Sequence, residues 1–327
     1  MAGRCNILFT ATFHSSFIDQ DIQILKKNFN VTPVIAKGWV APLLFAGHLA
    51  SNDLTFSWFA SVYSSVLVLF ARFRGKKSML VLGGVDVADE KELKYGIWNS
   101  WWKSKLVRYG ITHASAILAV DDFLRREAIR LTKHDGRNIS IVPTGYDAQY
   151  WVPSGNKEEI VLTVASCPDM LRVKLKGIDV FISVARKLPD VRFRIIGIDA
   201  RVASALAPPG NVECIPFSTP ETLRVSYQRA KVYCQLSYRE GLPNALCEAM
   251  LCECIPVGTI VGGIPTAIGD SGFLVEYLDE EMTIRAIRKA LTSPPGPGKK
   301  ARERIASQFT IERRENALKR IIQELLK

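Results

Sequence analysis

The chain has 327 residues, 48% of them hydrophobic and 23% charged, with a net charge of +11. That length exceeds one comfortable core and suits two domains, and the composition excludes a disordered or low-complexity chain. The charge is spread, +6 over residues 1–155 and +5 over the rest; this excludes a basic tail and suits an anionic ligand or an anionic membrane surface equally well.

In chain order, the segment NILFTAT reads as a strand and Asp19 to Asn28 as a helix. MAGRCNILFTATF runs into that strand with no apolar leader region, so no signal peptide is expected. Asp19-Gln20-Asp21 imitates a D-x-D metal motif, but it stands at a helix start, where acids are favoured by the dipole. Leu54 to Ala71 carries no charge over 18 residues, short of the roughly 20 apolar residues of a membrane span. A buried strand followed by a covered helix explains it better. SMLVL (Ser78 to Leu82) is a strand ending at Gly83-Gly84. Helix, strand, helix and strand follow at Trp101 to Tyr109, Ala116 to Val120, Asp122 to Leu131 and Ile139 to Val142. Such alternation predicts βα units on a parallel sheet.

The pattern pauses at Tyr150 to Lys157, whose Pro, Ser, Gly and Asn suit a linker. It then restarts. Strands are expected at Ile160 to Val164, Val191 to Ile196, Val212 to Ile215 and Val232 to Leu236. Helices are expected at Ile178 to Lys187 and Pro220 to Arg229, with a last amphipathic helix over Ile311 to Leu326. The expected architecture is α/β: two Rossmann-like parallel-sheet domains, residues 1–153 and 154–310, facing across a cleft, with a C-terminal helix (311–327) packing back on the first. Ligands of such sheets lie outside the carboxyl ends of the strands. That places Ser15 and Ser16, in the first βα loop beside His14, among acceptor-side candidates. No G-x-G-x-x-G is present, so a dinucleotide redox cofactor is not supported.

Seven cysteines occur with no C-x-x-C spacing. Reduced core thiols in a cytosolic protein are expected, and Cys252 and Cys254 lack further ligands at zinc spacing. Arg72, Arg74, Lys76 and Lys77, with Trp98, Trp101, Trp102, Lys103 and Lys105, could compose a basic-aromatic surface toward an anionic membrane, or a solvated helix end. No base-stacking module accompanies these charges, so nucleic acid is not an expected partner.

The informative stretch is REGLPNALCEAMLCECIPV, Arg239 to Val257. Glu240 and Glu248 are separated by seven residues. Pro243 suits a first helical position, and Asn244 to Glu253 should form a helix whose leading amides make an anion site. Two acids so placed can touch different parts of one elongated ligand.

Several motifs carry a resemblance. Ser237-Tyr238-Arg239-Glu240-Gly241-Leu242-Pro243, Glu248-Ala249-Met250 before Pro256-Val257, and Gly262-Gly263-Ile264-Pro265 resemble the E-x₇-E region of retaining GT-B glycosyltransferases, especially family 4. Lys176-Gly177 resembles that family's phosphate-binding turn. Ile141 to Asp147 resembles its interdomain I-P-N-G-V-D segment, and Ala119 to Leu124 its A-V-S-x-x-L. The match runs from about residue 80 to 280 and is weaker before that.

The resemblance implies a metal-independent transfer of a sugar from a nucleotide-sugar donor to an acceptor hydroxyl, with no cofactor. Glu240 would meet the donor sugar and Glu248 the ribose. Amides of Gly241, Leu242, Pro243–Asn244, Ala245 and Leu246 would cradle sugar and diphosphate. Lys176, with Arg172 or Lys174, would neutralise the leaving diphosphate. Asp86, in Gly83-Gly84-Val85-Asp86, would take the catalytic or acceptor-side place of an H-G-x-D segment, or would equally well brace the Gly-rich turn. A glycan or lipid-linked acceptor, and a cytoplasmic location at the inner membrane face, are part of the same expectation. Departures are Ala165-Ser166 where G-R is usual, the absent His before Gly84, Glu253 where Gly is usual, and Thr266 where an acid is common. They leave open a non-catalytic nucleotide or glycan binder. A GT-B phosphorylase or epimerase is the other alternative.

Overall fold

The computed structural model describes residues 4–38 and 40–327. They form two compact units. One runs to Thr144 and includes Glu312–Lys327; the other is Gly145–Ile311.

In the first unit the chain alternates β1 (Asn6–Ala11), α1 (Ser16–Asn28), β2 (Asn30–Ile35), α2 (Ala41–Leu49), β3 (Leu54–Trp58), α3 (Val62–Phe73) and β4 (Lys77–Leu82). After two short 3-10 turns come α4 (Trp101–His113), β5 (Ala116–Ala119), α5 (Asp122–Thr132) and β6 (Ile139–Ile141). All six strands are parallel, in the order β2-β1-β3-β4-β5-β6. Helices α2, α3, α4 and α5 pack successively on one another, as right-handed crossovers moving along one sheet require.

The uncharged stretch from Leu54 divides as its sequence suggests. Every residue of β3 is buried, and the capping box between Ser61 and Ser64 starts α3 afresh. Among the described residues no helix is long and apolar enough to cross a membrane.

The second unit contains β7 (Glu158–Cys167), α6 (Met170–Lys176), α7 (Ile178–Lys187), β8 (Arg192–Ile198), α8 (Ala200–Leu206), β9 (Val212–Ile215) and α9 (Pro220–Arg229). It continues with β10 (Ala230–Gln235), α10 (Asn244–Leu251), β11 (Ile255–Thr259), α11 (Ile264–Ile268), β12 (Phe273–Val275), α12 (Glu280–Thr292) and α13 (Gly296–Gln308). Its sheet is again six parallel strands, ordered β12-β11-β10-β7-β8-β9. The core is built from β7, β8, β10 and β11 with α7 and α12, including Phe181, Phe193 and Ile287.

The last helix, α14 (Ile311–Leu325), belongs from Glu312 onward to the first unit. Its anchor is Arg314, which donates from Nε and Nη2 to Asp21, each at 2.5 Å. Arg314 Nη1 donates to the carbonyls of Val142 and Pro143. The Trp58 indole N–H donates to the same Asp21 carboxylate at 2.8 Å. Asp21 is 0% and Arg314 2% exposed. Asp21 is therefore no helix-start acid of a D-x-D pair: α1 begins at Ser16, and this residue lies on its inward face. The distant arginine is the countercharge that makes its burial tolerable.

Removing one partner leaves a buried charge unpaired. Arg314→Ala should lower the stability of the first unit by about 3–5 kcal/mol, and Asp21→Leu with Arg314→Met by much less. Urea unfolding followed by tryptophan fluorescence checks the difference.

Candidate functional site

The carboxyl end of β10 delivers the site. Gln235 is the last strand residue, and Ser237 and Glu240 follow in the turn before α10. Three donors converge on a single oxygen, Glu240 Oε1: Lys176 Nζ at 2.6 Å, Ser237 Oγ at 2.9 Å and Gln235 Nε2 at 3.1 Å. Gln235 Nε2 also donates to Ser237 Oγ at 2.8 Å, and the Tyr233 hydroxyl donates to Gln235 Oε1 at 3.2 Å. Tyr233, Gln235 and Ser237 are all buried. The Glu240 side chain keeps 11% of its surface. Among the described residues these bonds leave Oε2 as the oxygen open to a ligand hydroxyl.

Two glycines make this geometry possible. Gly177 ends α6 and begins α7 at φ +65°, and a Cβ there would meet the Leu236 carbonyl oxygen at 1.9 Å. The Lys-Gly pair thus brings Lys176 against the end of β10. Gly262, at φ +56°, would place a Cβ 2.0 Å from the Glu240 carbonyl oxygen. Its neighbour Gly263 donates its amide to Gly241 O at 2.9 Å. The Gly-Gly loop after β11 is a brace pressed on the backbone of Glu240.

Arg172 lies on α6, whose start is capped by the Asp169 carboxylate accepting the Arg172 amide at 2.8 Å. Burial pushes the Cys167 thiol up to about 11, while the charges of Lys176 and Arg172 pull against that rise. Both cations therefore lie around the carboxyl end of β7, next to β10. Ala165 is buried and Ser166 exposed at the same end.

Pro243 is the N-cap of α10, extended at ψ 113°, so Asn244 rather than Pro243 holds the first helical position. The first helical bond closes from the Cys247 amide to Pro243 O, so the amides of Asn244, Ala245 and Leu246 head the helix. Gly241, Leu242, Pro243 and Leu246 are buried; Asn244 and Ala245 are half-buried. The Tyr146 hydroxyl donates to Asn244 Oδ1 at 2.8 Å and orients that side chain. Helix α10 stops at Leu251, two residues before the expected end. Glu253 adopts φ +64°, the left-handed state in which glycine is at home and other residues cost about 1 kcal/mol.

Glu248 is half-buried on α10 and accepts from the Tyr227 hydroxyl at 3.2 Å. Burial pushes its carboxyl up to about 7, opposed by that hydrogen bond.

In the first unit, Asp86 lies beneath the Gly83-Gly84 turn. It is 1% exposed and accepts amide hydrogens from Gly84 (2.7 Å), Gly83 (3.0 Å) and Ala60 (3.1 Å). Burial raises its pKa and these amides lower it. Its carboxylate holds the Gly83-Gly84 turn, which accounts for the residue without a ligand. Ser15 is the N-cap of α1; its Oγ is buried with no hydrogen-bond partner, and Ser16 is exposed. Among the described residues no group of three His, Cys, Asp or Glu side chains is gathered as metal ligands.

Sequence reasoning missed Gln235, Tyr233, Tyr227 and Tyr146. The available signal was alternation: Lys231, Tyr233 and Gln235 alternate with Ala230, Val232 and Cys234 in a strand flanked on both sides.

Residues 151–309, nearly all of the second unit, match the family model described as Glycosyl transferases group 1. The chain is 25% identical over 221 residues to D-inositol 3-phosphate glycosyltransferase of Mycolicibacterium smegmatis, covering 61% of this chain and 50% of that protein. The same enzyme of Mycolicibacterium paratuberculosis is 26% identical over 216 residues, covering 60% and 49%. The chain thus spans about half the length of the curated relatives it matches. Its fold is similar to that of sucrose-phosphate synthase from Thermosynechococcus elongatus, with TM-score 0.80, 14% identity, and 99% of each chain covered. It is similar also to HepE of Anabaena in complex with UDP-glucose, with TM-score 0.80, 12% identity, and 98% and 100% covered. Two six-stranded parallel sheets and these likenesses define the fold as GT-B. The fold is thus GT-B, and the family match lies within its second unit.

Gly262→Ala should lower the melting temperature, by more than about 1 kcal/mol of stability, because both φ and the Glu240 carbonyl oppose the new methyl. Gly210→Ala, with no atom within 4 Å of its added Cβ, should leave the melting temperature near the parent's. Thermal unfolding of the two variants side by side reads the contrast.

Proposed function

We propose that the protein is a retaining, metal-independent family 4 glycosyltransferase that moves a sugar from a nucleotide-sugar donor to a hydroxyl of a glycan acceptor. One observation carries this reading: Glu240, held by three donors on Oε1, presents Oε2 beside the Lys176 ammonium. An oriented carboxylate oxygen fits a sugar hydroxyl. An adjacent cation fits the diphosphate whose negative charge grows as the leaving group departs. The amides heading α10 add donors of the same sign. Lys176, Arg172 and that helix start supply the positive charge that a metal would otherwise supply. The solved relative HepE, described in complex with UDP-glucose, supports a donor of this kind. Glu248, with its Oε2 already bonded to Tyr227, takes the ribose hydroxyls in this reading. The acceptor is a lipid-linked glycan, met in the cytoplasm at the inner face of a membrane.

The decisive experiment is a melting-temperature panel of nucleoside diphosphates and nucleotide sugars in EDTA. A ligand at about 100 times its dissociation constant stabilises by about 2.7 kcal/mol. A clear shift with one diphosphate, followed by sugar transfer in EDTA, is the expected result. A shift without transfer to any acceptor supports the non-catalytic binder; phosphate-dependent cleavage supports a phosphorylase. Loss of transfer in EDTA removes the metal-independent mechanism.

Glu248→Gln should weaken nucleotide binding roughly 10- to 150-fold, the worth of a hydrogen bond to a charged group. In the parent, affinity should rise with pH through about 7, as Glu248 ionises and becomes a pure acceptor; the variant should show no such rise. The sign for stability is opposite. The raised carboxyl keeps its proton in the folded state above pH 4.5, so its contribution to stability falls as pH climbs toward 7. Calorimetric titration at several pH values checks the binding trend.

A further inference from the structure

The search for function outside the donor site leads to the first unit, where apolar exposure is unevenly placed. Ten large apolar side chains are exposed among its described residues. Eight of them stand at the last residue of a strand, in the segment that follows one, or in the first turn of the next helix. Only Phe73 and Leu326 stand at helix ends. Because every strand is parallel, those eight gather at the carboxyl edge of one sheet.

Two places dominate. Leu43 and Leu44, in the first turn of α2, are 69% and 46% exposed; Trp101 and Trp102, opening α4, are 73% and 45% exposed. Both helices belong to the same layer, with α3 between them. The start of α4 is tied to the sheet edge, since the Trp98 indole donates to Asp86 O at 2.8 Å.

Charge selects the partner. Residues 22–52, around the start of α2, contain no Asp or Glu, and neither do residues 93–120, around α4. The cations there embrace the aromatics: Lys105 Nζ lies 5.0 Å from the Trp101 ring centroid and Lys103 Nζ 5.5 Å from that of Trp102. Tryptophan beside lysine, at two helix starts with no acid of their own and with Asp89, Glu90 and Glu92 confined to the segment before α4, fits the headgroup level of a bilayer. A protein partner would gain little from a rim of exposed lysines, whereas anionic headgroups neutralise them.

We propose that the starts of α2 and α4 form a docking surface for an anionic lipid bilayer, with Trp101, Trp102, Leu43 and Leu44 entering the interface and Lys103 and Lys105 meeting headgroups. It extends the membrane part of the function proposed above, yet stands or falls without the transfer reaction. The basic run after α3 is no part of it. Lys76 Nζ donates to the carbonyls of Leu49, Ala50 and Asn52 and so ties the end of α2. Phe73 and its neighbours stand at the end of α3, away from the helix starts.

The test is flotation of the full chain with phosphatidylcholine vesicles, with and without phosphatidylglycerol. Binding to the anionic vesicles, weakened by salt, is expected. Trp101→Ser with Trp102→Ser should weaken it at least tenfold. Lys103→Glu with Lys105→Glu should weaken it about fivefold or more per lysine. Phe73→Ser should bind as the parent does. All these side chains are exposed, so unchanged melting temperatures confirm folded variants. No binding by the parent, equal binding by the Trp variant, or a dimer in sedimentation velocity that the Trp variant abolishes would each overturn the proposal.

Discussion

Everything at the carboxyl edge of the second sheet depends on how one carboxylate is held. Glu240 receives an ammonium, a hydroxyl and an amide on the same oxygen. Any one of these could rotate freely in water. Here Gln235 is fixed by the Tyr233 hydroxyl behind it, and that tyrosine is fully buried. Orientation is thus handed outward from the core of the sheet to its rim, through side chains that have no room to turn. A half-satisfied polar chain of this sort would be worse than an apolar core; a complete one specifies a single geometry.

The glycines serve the same end from the backbone side. Lys176 can reach Glu240 because Gly177 lets two chain segments touch, and Glu240 cannot retreat because the loop at Gly262 presses on it. Parallel strands contribute the common edge. The turns after β7, β10 and β11 all emerge there, so residues distant in sequence meet without long connections.

Much of this was legible in the sequence, and the reasons are local. Period and turn residues marked the alternating strands and helices. The spacing of Glu240, Gly241, Pro243 and Glu248 marked a strand-turn-helix with acids at its rim. Gly177 and Gly262 stand in the segments that carry the resemblance, but their part as braces is seen only in the structure. What stayed hidden was pairing over long separations. Nothing near Asp21 announces Arg314, and Asp86 reads equally well as ligand contact or turn brace until its three amide donors are seen. Tyr233 and Gln235 were hidden differently: a tyrosine in a strand is ordinary, and only the third dimension shows that its hydroxyl ends a chain at Glu240. The stop of α10 was misjudged because Glu253 occupies a left-handed position that its side chain does not advertise.

The bond between Asp21 and Arg314 spans 293 residues, and it has a consequence for synthesis. At 5–20 residues per second, a ribosome needs roughly 15–60 s to travel from one partner to the other. Throughout that interval the first sheet can assemble while α1 carries a carboxylate whose guanidinium has not yet been made. The second unit, lying wholly between the partners, is synthesised before the first can be completed. The first unit therefore waits on the synthesis of the second, and a chain interrupted before Arg314 would bury Asp21 without its guanidinium.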